Sequence, residues 1–81
     1  MTLNILTPEV NLFSGEVDSV QLPGTNGRFE ILNNHAPLIA SIQEGVVRIR
    51  IGNNKQEFKL KSGIVEVLKN KVSVLTEGVV A

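Results

Sequence analysis

The chain has 81 residues, eight basic and eight acidic side chains, one histidine and no cysteine. That length makes one small domain, 1–81, burying about 60 to 65% of its unfolded surface, and the missing thiols exclude a disulfide framework and a thiolate metal site. The balanced charge excludes a global field that steers toward nucleic acid or an anionic lipid surface, so a partner is recognised locally, by shape. The opening Met1-Thr2-Leu3-Asn4 carries no basic cluster before an apolar stretch, and nowhere do about eighteen apolar residues run together. A soluble, cytoplasmic chain without a transmembrane segment is expected.

The periodic signal is β from the start. Leu3 and Ile5 alternate with Thr2 and Asn4 until Thr7-Pro8, where proline removes a ladder donor and restricts the residue before it. A new segment begins at Leu12-Phe13. Between Val17 and Val20 the apolar phase slips from odd to even positions and Leu22 keeps the new phase, which predicts a β-bulge near Asp18-Ser19. Turn residues cluster at Pro23 to Gly27 and again at Asn33 to Pro37, bracketing Phe29-Glu30-Ile31-Leu32. Val47, Ile49 and Ile51 alternate with Arg48 and Arg50, then Phe58 and Leu60 alternate with Lys55, Glu57, Lys59 and Lys61. Gly52-Asn53-Asn54 between them predicts a tight hairpin. A second hairpin is predicted from Ile64–Leu68 to Val72–Leu75 through Lys69-Asn70-Lys71, a solvent-exposed turn with Asn70 left-handed. No ten-residue window has a sustained helical period; Leu38 to Val47 comes nearest and is interrupted by Gly45. The expected fold is all-β, a small two-sheet antiparallel β-sandwich or flattened barrel, with Val47, Ile49, Phe58, Leu60, Val72 and Val74 inside. The ending Gly78-Val79-Val80-Ala81 either pairs as a last strand or is loose.

Little in the chain points to catalysis. His35 is the sole base of the kind a nucleophilic triad requires, and it sits in a turn. Gly24-Thr25-Asn26-Gly27 lacks the GK[ST] ending of a phosphate loop and precedes a strand, so it reads as a hairpin turn. The carboxylate pairs Glu9 and Glu16, or Asp18 and Glu30, have no spacing that makes an acid/base couple. Phe13, Phe29 and Phe58 are core residues rather than a stacking surface for bases, and Arg48 and Arg50 read as a solvated strand face. No catalytic residue, metal site or cofactor is expected, and the composition describes a β-domain that binds something.

The stretch Pro23 to Leu38, PGTNGRFEILNNHAPL, with its His-Ala-Pro-Leu, resembles the signature of F-type ATP synthase epsilon subunits. Leu6-Thr7-Pro8-Glu9, Phe13 to Val17, Gly45 to Ile49, Ser62 to Val67 and Val72 to Leu75 match in the same order, so the resemblance covers nearly the whole chain. It implies a β-sandwich in the central stalk that links the gamma subunit to the membrane c-ring during rotary, proton-driven ATP synthesis. The implied copy number is one per complex, a monomer in isolation, peripheral at the cytoplasmic face of the bacterial plasma membrane. Carried over from the family, the gamma-facing side lies near Thr7, Ala40 and Ser62, and the c-ring-facing loops hold Arg28, Glu30, Asn34 and His35. After Glu77 four residues remain, where the family continues into two helices. Inhibition of ATP hydrolysis and ATP binding, credited to that part, are expected to be absent.

Departures from the family pattern set further expectations. Arg28 stands where a small acidic or neutral residue is usual and Glu30 where glycine is, so the carboxylate has moved two residues along one strand face and position 30 takes an ordinary β conformation. Asn33 replaces a frequent proline and is expected to loosen the loop before His35. Ser62-Gly63 carries one glycine where two are usual, implying a shortened turn or a lost bulge. A lipoyl- or biotinyl-carrier domain with Lys69 or Lys71 at a hairpin tip is the competing reading, although neither Asp-Lys-Ala nor Met-Lys-Met is present. A generic β binding module is the third.

Overall fold

A computed structural model describes residues 1–80, all of them in strands, turns and short connections. The strands are β1 Thr2–Leu6, β2 Asn11–Glu16, β3 Ser19–Gly24, β4 Gly27–Leu32, β5 Leu38–Ile42, β6 Gly45–Ile51, β7 Asn54–Leu60, β8 Gly63–Leu68 and β9 Lys71–Thr76. No helix long and apolar enough to cross a membrane occurs among the described residues.

Alternation decides which side chains go inside. Leu3 and Ile5 of β1, Val65 and Val67 of β8, and Val72 and Val74 of β9 are at most 2% exposed. They face Val20, Leu22, Val47, Ile49 and Leu60 from the other half, forming one aliphatic core without a cysteine or buried ion pair. Phe58 is half-buried and Lys55, Glu57, Lys59 and Lys61 are exposed, as the sequence pattern predicts. Ile51 differs. It closes the β6–β7 hairpin at the end of the sandwich, past the opposing strands, and is 40% exposed.

The strands run β2-β1-β9-β8-β5-β3-β6-β7, with β4 added to β3. Two sheets are therefore joined into one curled, flattened barrel. The junction is a single residue pair, Gly24 with Ile42, supported by Gln43 N–H donating to the Pro23 carbonyl at 2.9 Å. On the open side, where edge strands β2 and β7 approach, Phe13 meets Phe58 edge to face with ring centroids 6.0 Å apart, a geometry aromatic quadrupoles favour. One pair departs from the antiparallel expectation: β1 lies parallel to β9. These strands come from opposite ends of the chain and share no hairpin to dictate their sense.

The predicted bulge at Asp18-Ser19 is a change of sheet instead. Val17 N–H still donates to Met1 in the first sheet, while Asp18 N–H donates to Arg50 in the second. The phase slip is the signature of that crossing, since the inward direction reverses between the sheets. The actual register shift lies in β1–β2, where Ile5 faces Phe13 and Leu6 faces Asn11. Leu12 is the extra residue, which lets Leu12 and Phe13 both pack against the core.

Both predicted hairpins form with two-residue loops. Gly52 has φ 60° in the first, the signature of a II′ turn. Lys69 and Asn70 have φ 50° and 61° in the second, an I′ turn, so both residues rather than Asn70 alone are left-handed. That turn is not free in solvent, because the Asn70 side chain accepts from Asn34 N–H at 2.8 Å and its carbonyl accepts from Thr2 N–H at 3.1 Å. The loop at Asn33 is correspondingly tied rather than loose. Asn33 Oδ1 accepts from the Met1 amino group at 2.6 Å and His35 N–H donates to the Leu32 carbonyl at 3.2 Å. Glu30 has ordinary β geometry within β4. Val80 N–H and the Gly78 carbonyl pair with the end of β7, joined by the Leu60–Val79 bridge; Ala81 lies outside the described residues.

Two predictions test these constraints. A Cβ on Gly63 would fall onto the Leu75 carbonyl oxygen and within 2.9 Å of Thr76 Cα. Gly63→Ala is expected to cost about 3 kcal/mol or more in urea unfolding, whereas Gly52→Ala, limited only by its left-handed backbone, is expected to cost about 1–2 kcal/mol. The second concerns Glu16, whose carboxyl is held below its ordinary value of 4.5 chiefly by the hydrogen bond from the Thr2 hydroxyl, against opposing desolvation and with help from the terminal ammonium. A depressed folded-state value contributes stability that is fully present above the unfolded value and lost as pH falls through the folded one. Thr2→Val is therefore expected to lower Tm slightly at neutral pH, with the gap to the parent chain closing under acid; a gap that stays constant with pH would sink the assignment.

Candidate docking surfaces

With the core filled from within, function is left to the two outer faces and the two ends. At one end lie the β1–β2 loop at Thr7–Val10, the β3–β4 turn at Thr25-Asn26, and the Lys61-Ser62 connection. The other end gathers Asp18, the loop from Asn33 to His35, the β6–β7 turn and the Lys69-Asn70 turn, held by Asn34–Asn70 and Gly52–Asp18 hydrogen bonds.

The outer face of β5-β8-β9-β1 is apolar toward the Thr7 end. Ser41, Ile64, Leu75 and Leu6 form one cross-strand row, and Ile39 stands one row away. Ile39, Ile64 and Leu75 are 72, 49 and 52% exposed. Beside them Thr7, Pro8 and Gly63 complete a shallow groove whose walls are almost entirely carbon. A contiguous apolar row on an otherwise solvated sheet marks a protein contact, because isolated surface aliphatics need no partner but grouped ones do. Further along the same strands the face turns polar, with Asn4 hydrogen-bonded to Ser14 and Thr2 to Glu16.

The residues carried over from the family resemblance do not fall in one place. Thr7 and Ser62 flank the apolar groove at its end. Ala40 lies in the middle of β5 on the inward parity, half-buried and packed against the core, so the outward residues there are Ile39 and Ser41. Arg28 and Glu30 belong to strand β4 and not to a loop. They share its outer face, where Arg28 donates to the Val46 carbonyl at 2.9 Å and Gln21 donates to Glu30 at 3.2 Å. Asn34 and His35 follow at the opposite end from the Thr25-Asn26 turn, so β4 separates Arg28 from His35. Asn34 adopts φ 63°, and His35 Nδ1 donates to the adjacent Ala36 carbonyl at 2.7 Å.

Sequence reasoning overlooked Ile39, Ile64 and Leu75. The signal was present: β8 reads Ile64-Val65-Glu66-Val67-Leu68, aliphatic on both parities, which is more apolar surface than one core can take. Among the described residues no group of three or more His, Cys, Asp or Glu side chains is placed to hold a metal ion. His35 is exposed and turned to its own chain, without a nucleophile bonded to it.

These features define an all-β module with one apolar and one charged outer face. The chain belongs to the ATP synthase delta/epsilon chain β-sandwich domain family, whose model matches residues 1–81. An ATP synthase epsilon chain of Chlorobaculum tepidum is 44% identical over 79 residues, covering 96% of this chain and 90% of the relative. One from Leptospira borgpetersenii is 43% identical over 77 residues, and there the chain spans only 61% of the relative's length. In fold it is similar to a chain of the Euglena gracilis mitochondrial ATP synthase OSCP/F1/c-ring assembly, with TM-score 0.90 at 17% identity over 96% of this chain and 51% of that one. A chain of the Tetrahymena thermophila mitochondrial ATP synthase central stalk and c-ring gives TM-score 0.80 at 16% identity, over 93% of this chain and 61% of that one. Membership in this family displaces the carrier-domain and generic-module readings.

The inward placement of Ala40 and the outward placement of Ile64 yield a paired expectation for stability. Ala40→Arg forces a charge toward the core and is expected to lower Tm by several degrees, as about 1 kcal/mol moves Tm by roughly 4–8 °C at this size. Ile64→Arg is expected to leave Tm nearly unchanged. Calorimetry of both variants checks the parity of β5 and β8.

Proposed function

We propose that this domain is a non-catalytic coupling element of a rotary ATP synthase, seated on the gamma subunit and resting on the polar loops of the c-ring. The apolar row Ile64–Leu75–Leu6 carries the reading. A domain that transmits torque must stay attached to one partner, and burying Ile64 and Leu75 against it contributes about 1.5–3 kcal/mol for each side chain fully covered. Thr7 and Ser62, small and at the rim, let the partner backbone approach; Ala40 supports the face from beneath. Arg28 and Glu30 along β4, with Asn34 and His35 beyond, offer hydrogen-bonding groups to polar loops of the c-ring. In this placement the domain is peripheral, at the cytoplasmic face of the bacterial plasma membrane, with one copy per complex. Its epsilon-chain relatives support the reading.

The test is binding to purified gamma subunit by titration calorimetry with single-site variants. Leu75→Asp and Ile64→Asp are each expected to weaken binding by about tenfold or more, the equivalent of about 1.4 kcal/mol, while their Tm stays near that of the parent chain. Parental affinity in both would overturn the docking face. Arg28→Ala and Glu30→Ala are expected to leave gamma affinity unchanged and to reduce retention by assembled c-ring rotor; unchanged retention removes the c-ring role of β4.

A further inference from the structure

The outer face of the other sheet has a different chemistry, and the docking reading does not use its central groove. Ser19, Arg50 and Lys55 stand in one row across β3, β6 and β7, and Gln21, Arg48 and Glu57 in the next. Together they line an open groove of about 510 Å³. The Gly52-Asn53 loop closes on the pair Ile51–Asn54, and the Arg50 carbonyl turns away from β7 to accept from Asp18 N–H at 2.7 Å. Arg50 and Lys55 are therefore a non-hydrogen-bonded pair, the class in which Cα atoms come to about 4.5 Å and side chains lie closest. Like charges directly opposite each other destabilise a sheet.

Nearby carboxylates offset that repulsion only in part. Glu57 is engaged by Arg48 Nε at 2.6 Å, and Glu30 at the rim accepts from Gln21. Asp18 is 3.8 Å from Arg50 Nη1, which also donates to the Gly52 carbonyl at 3.3 Å, leaving the other Arg50 Nη free toward the groove. Lys55 forms no ion pair among the described residues. At the floor, Ser19 is only 4% exposed, and its hydroxyl engages no other described residue.

We propose that this groove binds a phosphate-class oxyanion between Arg50 and Lys55, with the Ser19 hydroxyl beneath it and the unused Nη groups of Arg48 beside it. One doubly charged oxyanion converts a repelling pair into two charge-assisted hydrogen-bonding arms, the strongest kind available at a protein surface. The Ser19 hydroxyl, open to solvent at the groove floor, supplies a short donor to the bound anion. The groove lies on the sheet opposite Ile64 and Leu75, so the site stands independently of the gamma-docking face, and it adjoins Glu30 of the strand assigned to the c-ring.

Amide chemical shifts of Ser19, Gly52 and Lys55 followed in a titration with sodium phosphate, against sodium chloride at matched ionic strength and pH, test the proposal. Saturable shifts with phosphate and none with chloride are expected. Arg50→Gln combined with Lys55→Gln should weaken phosphate binding by about tenfold or more, while Lys71→Gln, an exposed cation on the opposite sheet, should leave it unchanged. Lys55→Gln alone should also melt at or above the parental temperature without phosphate, since it removes the like-charge pair and leaves the Arg50 contacts with Asp18 and Gly52 intact. Equal responses to chloride and phosphate, or parental binding in the double variant, would overturn the site. Sedimentation with phosphatidylglycerol vesicles, against phosphatidylcholine alone, identifies the source of the anion. Co-sedimentation abolished by the double variant assigns a lipid headgroup, and phosphate saturation without co-sedimentation assigns a free anion.

Discussion

Everything in this domain hangs on the point where β3 hands its hydrogen bonds from one sheet to the other. Gly24 pairs with Gly27 in its own hairpin and with Ile42 across the junction, so three stretches of backbone crowd one residue. A Cβ there would lie 2.6 Å from the Gly27 carbonyl oxygen and 2.8 Å from the Phe29 ring. No side chain can occupy that space, and without the close approach the two sheets would part. The opposite margin has no comparable ladder; it relies on the Phe13–Phe58 contact and on residues 78–80 bridging to β7. A flattened barrel fastened by backbone on one side and by side chains on the other must be held mainly from within. Its interior is accordingly aliphatic, and the buried Met1 ammonium at its margin is compensated by donating to the Val17 carbonyl and to Asn33 Oδ1.

Most of this architecture was legible in alternation and turn chemistry. Gly52 and Asn70 marked hairpins because few residues accept a left-handed backbone, and the parity of Val47, Ile49, Phe58 and Leu60 located the inside. What stayed hidden were relations between segments distant in sequence. The slip between Val17 and Val20 was visible, yet a bulge and a change of sheet leave the same trace in one strand; only the partners of Val17 and Asp18 distinguish them. Pairing of β1 with β9 brings together residues some seventy positions apart, and no local pattern encodes its parallel sense. The tethering of Asn33 and Asn34 is of the same kind, because its partners come from Met1 and Asn70.

The candidate sites were less legible for a related reason. The family resemblance put the small side chains at 7, 40 and 62 on one side, but strand parity turns Ala40 inward and sends the outward direction to Ile39. Ile64 and Leu75 received no side in the sequence reading, because an aliphatic residue next to a buried valine gives no sign of its own. The period of two supplies one: if Val65 and Val74 are inside, their neighbours are outside, whatever their hydropathy. Aliphatic residues on the outward parity are therefore the more informative sign of a partner, since the core has no use for them.

A sandwich of this kind separates stability from recognition by parity. Inward positions answer to packing, where removing a leucine such as Leu22 costs about 2–5 kcal/mol, and outward positions are free to specialise. The separation explains how a chain of balanced charge can present unlike surfaces. Apolar groups gather on the face of β8 and β9, while Arg48, Arg50 and Lys55 gather on β6 and β7, each set in register across neighbouring strands. Because the core fixes both sheets relative to one another, the two faces hold a constant orientation about 10 Å of packed interior apart. A partner on one face is thereby positioned relative to whatever occupies the other, which is the mechanical property a rigid coupling domain needs and a flexible linker cannot supply.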